Sequence, residues 1–203
     1  YVMLKEPELV KKAHVDFIEA GASIVTLNTY STTPERLEAN KLLDKFSFFH
    51  KKAIDLAREA IDHTQKDVLI AGCLPPLVWS YRPDKAPDYE KCVELYLQIV
   101  REQENFVDLF ICETMASIKE AKAAVVAAKT SNKTVWCGLT LEDNENCELR
   151  SGEKLIDCVN ELQSLGQQEI VLNCSFPEVI DKGMTILSQN SKFFGGYGNG
   201  FTS

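Results

Sequence analysis

Apolar positions along the chain switch repeatedly between two periods. Residues 7–20 carry Leu9, Val10, Ala13, Phe17 and Ile18 at helical spacing, open with Pro7 and end at Gly21, which predicts a helix. A short apolar run over 24–28 follows and predicts a strand. The alternation continues: helices over 34–40 and 47–63, strand 68–72, a proline-rich loop over 74–87, helix 88–105, and strand 108–112. Ser117 then reads as an N-cap, with Glu120 at the capping-box position, for an alanine-rich helix ending near Lys129. Strand 134–139, a polar loop to Gly152, helix 153–165, strand 169–173, helix 177–188 and strand 192–196 complete the series.

Six strands, each separated from the next by helix and with no hairpin signal, imply a parallel sheet. An open Rossmann-type sheet would place a glycine-rich turn after an early strand, and none is present. The first element is a helix, which in a βα series needs a strand before it, and the chain stops just after its last strand. The pattern therefore predicts a (β/α)8 TIM-type barrel whose first and last strands are missing, with residues 1–203 forming a single incomplete domain. A barrel short of strands would expose backbone edges and part of its interior.

Charge and composition narrow the function. The net charge of −8, without clustered Lys and Arg, argues against nucleic acid as a partner. No apolar run approaches the ~20 residues of a membrane-spanning helix, so no membrane role is expected. Seven cysteines, an odd number without a CxxC, in a chain large enough to build its own core point to free thiols and a reducing, cytoplasmic setting.

In a parallel barrel the chemistry collects at the C-terminal ends of the strands. Those positions read Asn28–Thr29, Gly72–Cys73, Glu113–Thr114, Thr140, Asn173–Cys174 and Tyr197–Gly198–Asn199. The set is polar, acidic and thiol-bearing. It lacks the lysine of a Schiff-base aldolase and the histidines of an amidohydrolase-type metal site. His14, His50 and His63 fall on helices and read as surface or packing residues. Cys112 and Cys137 lie within strands and Cys92 and Cys158 on helices, all as packing thiols, while Cys147 reads as exposed in a charged loop. Cys73, following a strand, competes with Cys174 as a functional thiol.

The segments 21–30 (GASIVTLNTY), 108–114 (DLFICET), 135–139 (VWCGL) and 171–174 (VLNC) resemble successive motifs of the homocysteine S-methyltransferase family, in family order and over nearly the whole chain. The resemblance implies an enzyme that moves a methyl group to homocysteine, giving methionine, with zinc activating the thiol. Cys174 would be one of three zinc thiolates. The other two form an adjacent pair in the family's Gly-Gly-Cys-Cys-Gly motif, which these 203 residues do not contain. Glu113 would bind the amino group of homocysteine, with Asn28, Thr29, Asn173 and Asn199 around the same mouth. Residues 197–200 (YGNG) resemble the family's Tyr-Pro-Asn loop with Gly for Pro, and 72–76 (GCLPP) stand where relatives show Gly-Ser-x-Gly-Pro. Ser31, where the betaine-using branch carries an aromatic, favours a sulfonium donor, S-methylmethionine or S-adenosylmethionine. Two other readings stay open: a phosphate-binding barrel enzyme using the Gly195–Gly200 loop, or a non-catalytic amino-acid-binding relative without metal.

Overall fold

The computed structural model describes residues 2–144 and 146–200. Eight helices alternate with six strands: α1 Val2–Lys5, α2 Pro7–Glu19, β1 Ile24–Thr26, α3 Pro34–Ala39, α4 Phe46–Thr64, β2 Leu69–Leu74, α5 Tyr89–Gln103, β3 Leu109–Met115, α6 Ile118–Lys129, β4 Thr134–Leu139, α7 Leu155–Ser164, β5 Glu169–Asn173, α8 Pro177–Asn190 and β6 Phe193–Tyr197. All strand pairs are parallel and the sheet order is β1-β2-β3-β4-β5-β6. The result is a curled half-barrel with an open edge at β1 and another at β6 among the described residues. The expected eight-stranded closure is not part of it.

The core lies between the convex face of the sheet and the helices. Phe110, Cys112, Cys137, Leu139, Ile170 and Leu172 are buried there beneath helix residues such as Tyr96, Ile99 and Val159. Alternate positions face the concave side, where the half-barrel is open: Leu69 is 46% and Phe193 52% exposed. Strand alternation thus survives in the sequence pattern although one face has few neighbours.

Three boundaries differ from the pattern for local reasons. β1 stops at Thr26 because the chain turns: Leu27 N–H still reaches Ala71 O at 2.9 Å, but Thr29 N–H folds back on Leu27 O at 2.7 Å. β2 runs on to Leu74, in register with Cys112, so Cys73 lies inside the strand rather than after it. β3 runs on to Met115 through a register shift between Cys112 and Met115, which carries Glu113 and Thr114.

Ser117 caps α6 as expected, accepting Glu120 N–H at 3.2 Å. The reciprocal half of the capping box does not form. The Glu120 carboxylate is buried and accepts the Leu77 N–H at 3.4 Å, bracing the loop after β2. Cys147 is half-buried with φ 53° rather than exposed, and its carbonyl accepts Leu155 N–H at 3.0 Å.

Candidate functional site

The C-terminal ends of β1, β2, β3 and β5, with β6 beside them, bring the predicted residues to one rim. Asn28 is exposed just past β1, and it shares with Tyr30 and Glu113 a groove of about 550 Å³ that runs down the open β1 edge. Thr29, one residue on, is buried instead. Glu113 is half-buried, and burial raises its carboxyl above the usual range while a hydrogen bond from Cys73 opposes that shift. The Cys73 Sγ–Glu113 Oε1 distance is 2.9 Å.

Asn173 is buried at the end of β5 and reaches across β4 to β3. Its Oδ1 accepts Thr114 N–H at 3.1 Å, and its Nδ2 donates to Thr114 Oγ1 at 3.0 Å and to Tyr197 Oη at 3.0 Å. The span is open because the intervening residue on β4 is Gly138; a Cβ there would lie 3.2 Å from Asn173 Oδ1. Tyr197 is pushed up to about 12 by burial and then by the nearby Glu113 charge, so its hydroxyl stays protonated.

Cys174 follows directly, half-buried and free. The Thr114 hydroxyl donates to its sulfur at 3.5 Å, Asn173 Nδ2 lies 3.4 Å away, and the Tyr81 side chain stands beside it. Burial and this sulfur together push Tyr81 up to about 12. The Arg150 guanidinium stacks 4.7 Å over the Tyr81 ring, pairs with Asp143 at 2.7 Å, and has Cys174 O at 3.5 Å.

Thr114, Cys174 and Tyr81 all have left-handed backbones, with φ of 62°, 55° and 60°. A β-branched residue in that region is a genuine outlier, and each such residue costs roughly 1–3 kcal/mol. Three of the seven left-handed non-glycine residues among the described residues thus meet around one sulfur.

Asn199 is half-buried past β6, where its N–H donates to Ser175 O at 2.9 Å. The adjacent glycines have packing roles. Gly195 and Gly196 lie within β6, and a Cβ on Gly196 would sit 3.0 Å from Leu172 O and 3.2 Å from Ile180. A Cβ on Gly198 would sit 3.1 Å from Pro177. Gly196 and Gly198 thus let α8 approach the sheet, while a Cβ on Gly195 or Gly200 would meet no close neighbour.

Sequence reasoning missed Tyr81, Arg150, Gln103 and His50. His50 and Gln103 are fully buried behind the rim: Gln103 Nε2 donates to His50 Nδ1 at 3.1 Å, and His50 Nε2 lies 3.3 Å from Thr32 O. Only their burial and their hydrogen bond to each other, with Gln103 reaching Cys73 on β2, identify them. Among the described residues no three His, Cys, Asp or Glu side chains are grouped to hold a metal. No helix among them is long and apolar enough to cross a membrane.

Comparison with known proteins places the fold in a family. Homocysteine S-methyltransferase 1 of Brassica oleracea is 27% identical over 88% of this chain and 62% of its own length. Homocysteine S-methyltransferase of Escherichia coli is 26% identical over 92% and 61%. Betaine–homocysteine S-methyltransferase 1 of Danio rerio is 27% identical over 85% and 42%. The chain thus spans about six-tenths or less of these relatives. The crystal structure of the homocysteine methyltransferase MmuM from Escherichia coli in its metallated form matches the fold with a TM-score of 0.85 at 23% identity, over 98% of this chain and 75% of that one. The family model for homocysteine S-methyltransferase matches residues 1–203, and the chain belongs to that family.

Proposed function

We propose that this protein transfers a methyl group from a sulfonium donor, S-methylmethionine or S-adenosylmethionine, to homocysteine, giving methionine, at a zinc ion for which Cys174 is one thiolate ligand. The observation that carries the reading is the Cys174 sulfur: half-buried at a strand end, on a left-handed backbone, with the Thr114 hydroxyl and the Asn173 amide turned to it and Glu113 on the neighbouring part of the rim. This donor set fits a sulfur that acts as an electron-pair donor. It supplies one ligand, and the others are not among the described residues.

Zinc, when bound, would favour the ionised form of a thiol near neutral pH, where a free thiol of pKa about 8.5 is mostly protonated. The chain's residues would do the rest. Glu113 would hold the substrate ammonium through a charge-assisted hydrogen bond, and the ammonium would supply the counter-charge that a buried carboxylate lacks. Asn28 and Tyr30 would bound the substrate on the β1 side. Asn173 would fix Thr114 and Tyr197, and through them the floor on which Cys174 sits. Thr29 and Asn199 would support the mouth from either side.

The same reading includes closure into an eight-stranded barrel, supported by the two open edges and the exposed concave residues. It also includes a reducing, cytoplasmic setting, supported by seven free cysteines, and small-molecule substrates rather than nucleic acid or membrane as partners.

The test is a methyl-transfer assay on the full-length protein, with metal analysis under reducing conditions. Cys174→Ala should lose zinc and turnover together. Glu113→Gln should keep zinc and weaken homocysteine binding by about 1.5–3 kcal/mol, the scale of a charged hydrogen bond. If zinc-loaded protein methylates no thiol from any sulfonium donor, betaine or methylfolate, the enzyme reading fails and a non-catalytic amino-acid-binding relative replaces it.

A further inference from the structure

Glu113 forms no ion pair among the described residues; the partner that orients it is a thiol. Cys73 is completely buried on β2, and its S–H donates to Glu113 Oε1 at 2.9 Å, short for a sulfur donor. Burial, the Glu113 charge and the bond itself all push the Cys73 thiol well above its usual range, so it remains S–H. A thiol held in that form is neither nucleophile nor metal ligand. It is a donor with a fixed direction.

The direction is set from behind by groups far apart in sequence. The Thr29 hydroxyl lies beside the Cys73 sulfur and eases that upward shift slightly. Gln103 Nε2, which also faces His50 Nδ1, donates to Cys73 O at 3.3 Å and lies 3.4 Å from Thr29 Oγ1, and its Oε1 accepts Cys73 N–H at 2.9 Å. One amide therefore grips both backbone polar groups of Cys73. It can do so because the preceding residue is glycine: a Cβ on Gly72 would lie 2.7 Å from Gln103 Oε1 and 2.6 Å from the Phe110 ring. Gln103 thus fixes the Cys73 backbone, Thr29 stands between the amide and the thiol, and the thiol in turn holds Glu113.

We propose that Cys73 is a positioning residue for amino-group recognition: its thiol, ordered by Thr29 and Gln103, holds one oxygen of Glu113 and leaves the other turned to the substrate ammonium. This inference rests on the assignment of Glu113 as the ammonium site. A glutamate carboxylate on three flexible torsions otherwise spends much of its time misdirected, and fixing it removes that entropic cost from binding.

The experiment compares homocysteine with its desamino analogue, sulfanylbutanoate, by calorimetry on the zinc-loaded full-length protein under reducing conditions. Cys73→Ala should weaken homocysteine roughly tenfold, the scale of one hydrogen bond, and leave the desamino thiol unchanged. Cys73→Ser, which keeps a donor of similar size, should restore homocysteine to within about threefold of wild type. Thr29→Val, which keeps the shape but removes the hydroxyl behind the thiol, should give a smaller loss with the same selectivity, and it serves if Cys73→Ala does not fold. Equal weakening of both thiols, or of neither, overturns the positioning role. Glu113→Gln separates the two levels of the argument. If it discriminates between the thiols while the Cys73 and Thr29 variants do not, the positioning role alone falls. If it does not discriminate, the ammonium assignment falls with it.

Discussion

Asn173 and Thr114 hold each other by both ends of one amide, Oδ1 to the backbone N–H at 3.1 Å and Nδ2 to the hydroxyl at 3.0 Å, from strands that are not neighbours in the sheet. The clasp crosses β4 at Gly138, where the chain has no side chain to obstruct it. A methyl group at that position would meet Asn173 Oδ1 at 3.2 Å and Cys112 O at 3.4 Å.

Gly138→Ala should therefore destabilise the fold by about 1–3 kcal/mol, the usual cost of overpacking. Asn173→Ala should cost less in that background than in wild type, because the clasp is already loosened. Denaturant melts of the four proteins in the cycle measure the coupling. Strict additivity would mean that the glycine is not there for Asn173.

The backbone of Thr114 reverses an ordinary preference. At a regular strand position glycine is less stable than alanine by ~0.5–1 kcal/mol. With φ at 62°, Thr114→Gly should instead be more stable than Thr114→Ala by about 1 kcal/mol, since glycine alone adopts this conformation without strain. Chemical denaturation of the two variants decides it, and a more stable alanine variant would show that the site has relaxed out of the left-handed region.

His50 predicts an acid limb in stability. Burial lowers its folded-state value from 6.5 to about 4, and its polar surroundings offer no place for a second proton: Gln103 Nε2–H faces Nδ1, and Nε2 lies against Thr32 O. Between these two values the unfolded chain binds a proton that the folded chain refuses. Stability from this residue is therefore full above pH 6.5 and lost as pH falls towards 4, by on the order of 3 kcal/mol. Glu113 and Glu120, raised by burial, act with the opposite sign, so the measurement is the difference between wild type and His50→Gln. Parallel stability–pH curves for the two proteins would mean that His50 does not titrate as described.

What could be read from sequence follows from how local the physics is. Parallel strand alternation depends on near neighbours, so all six strands were visible, and with them Asn28, Glu113, Asn173 and Cys174 as strand-end residues. The ends of β2 and β3 were placed short because a bulge at Thr114 and the pairing of Leu74 with Cys112 are properties of two strands together. Glu120 matched a local motif, yet its carboxylate went to Leu77, a partner more than forty positions away. Gln103 and His50 sit on ordinary amphipathic helices, and nothing in their own segments distinguishes them from other buried polar residues. Tyr81 and Arg150 lie in loops without periodicity, and their meeting over Cys174 is a fact of tertiary structure alone.

The in-order sheet also governs how the molecule can be made. Every strand pairs with the one synthesised just before it, so each βα unit can dock as it leaves the ribosome without waiting for a distant segment. Growth proceeds from one side only. Within this segment the newest strand presents a fresh edge, moving from β1 to β2 and on towards β6, with unpaired N–H and C=O groups that another chain could capture. The hazard of misassembly thus travels along the sheet with synthesis, and a pause between two strands leaves whichever edge was made last as the point of capture.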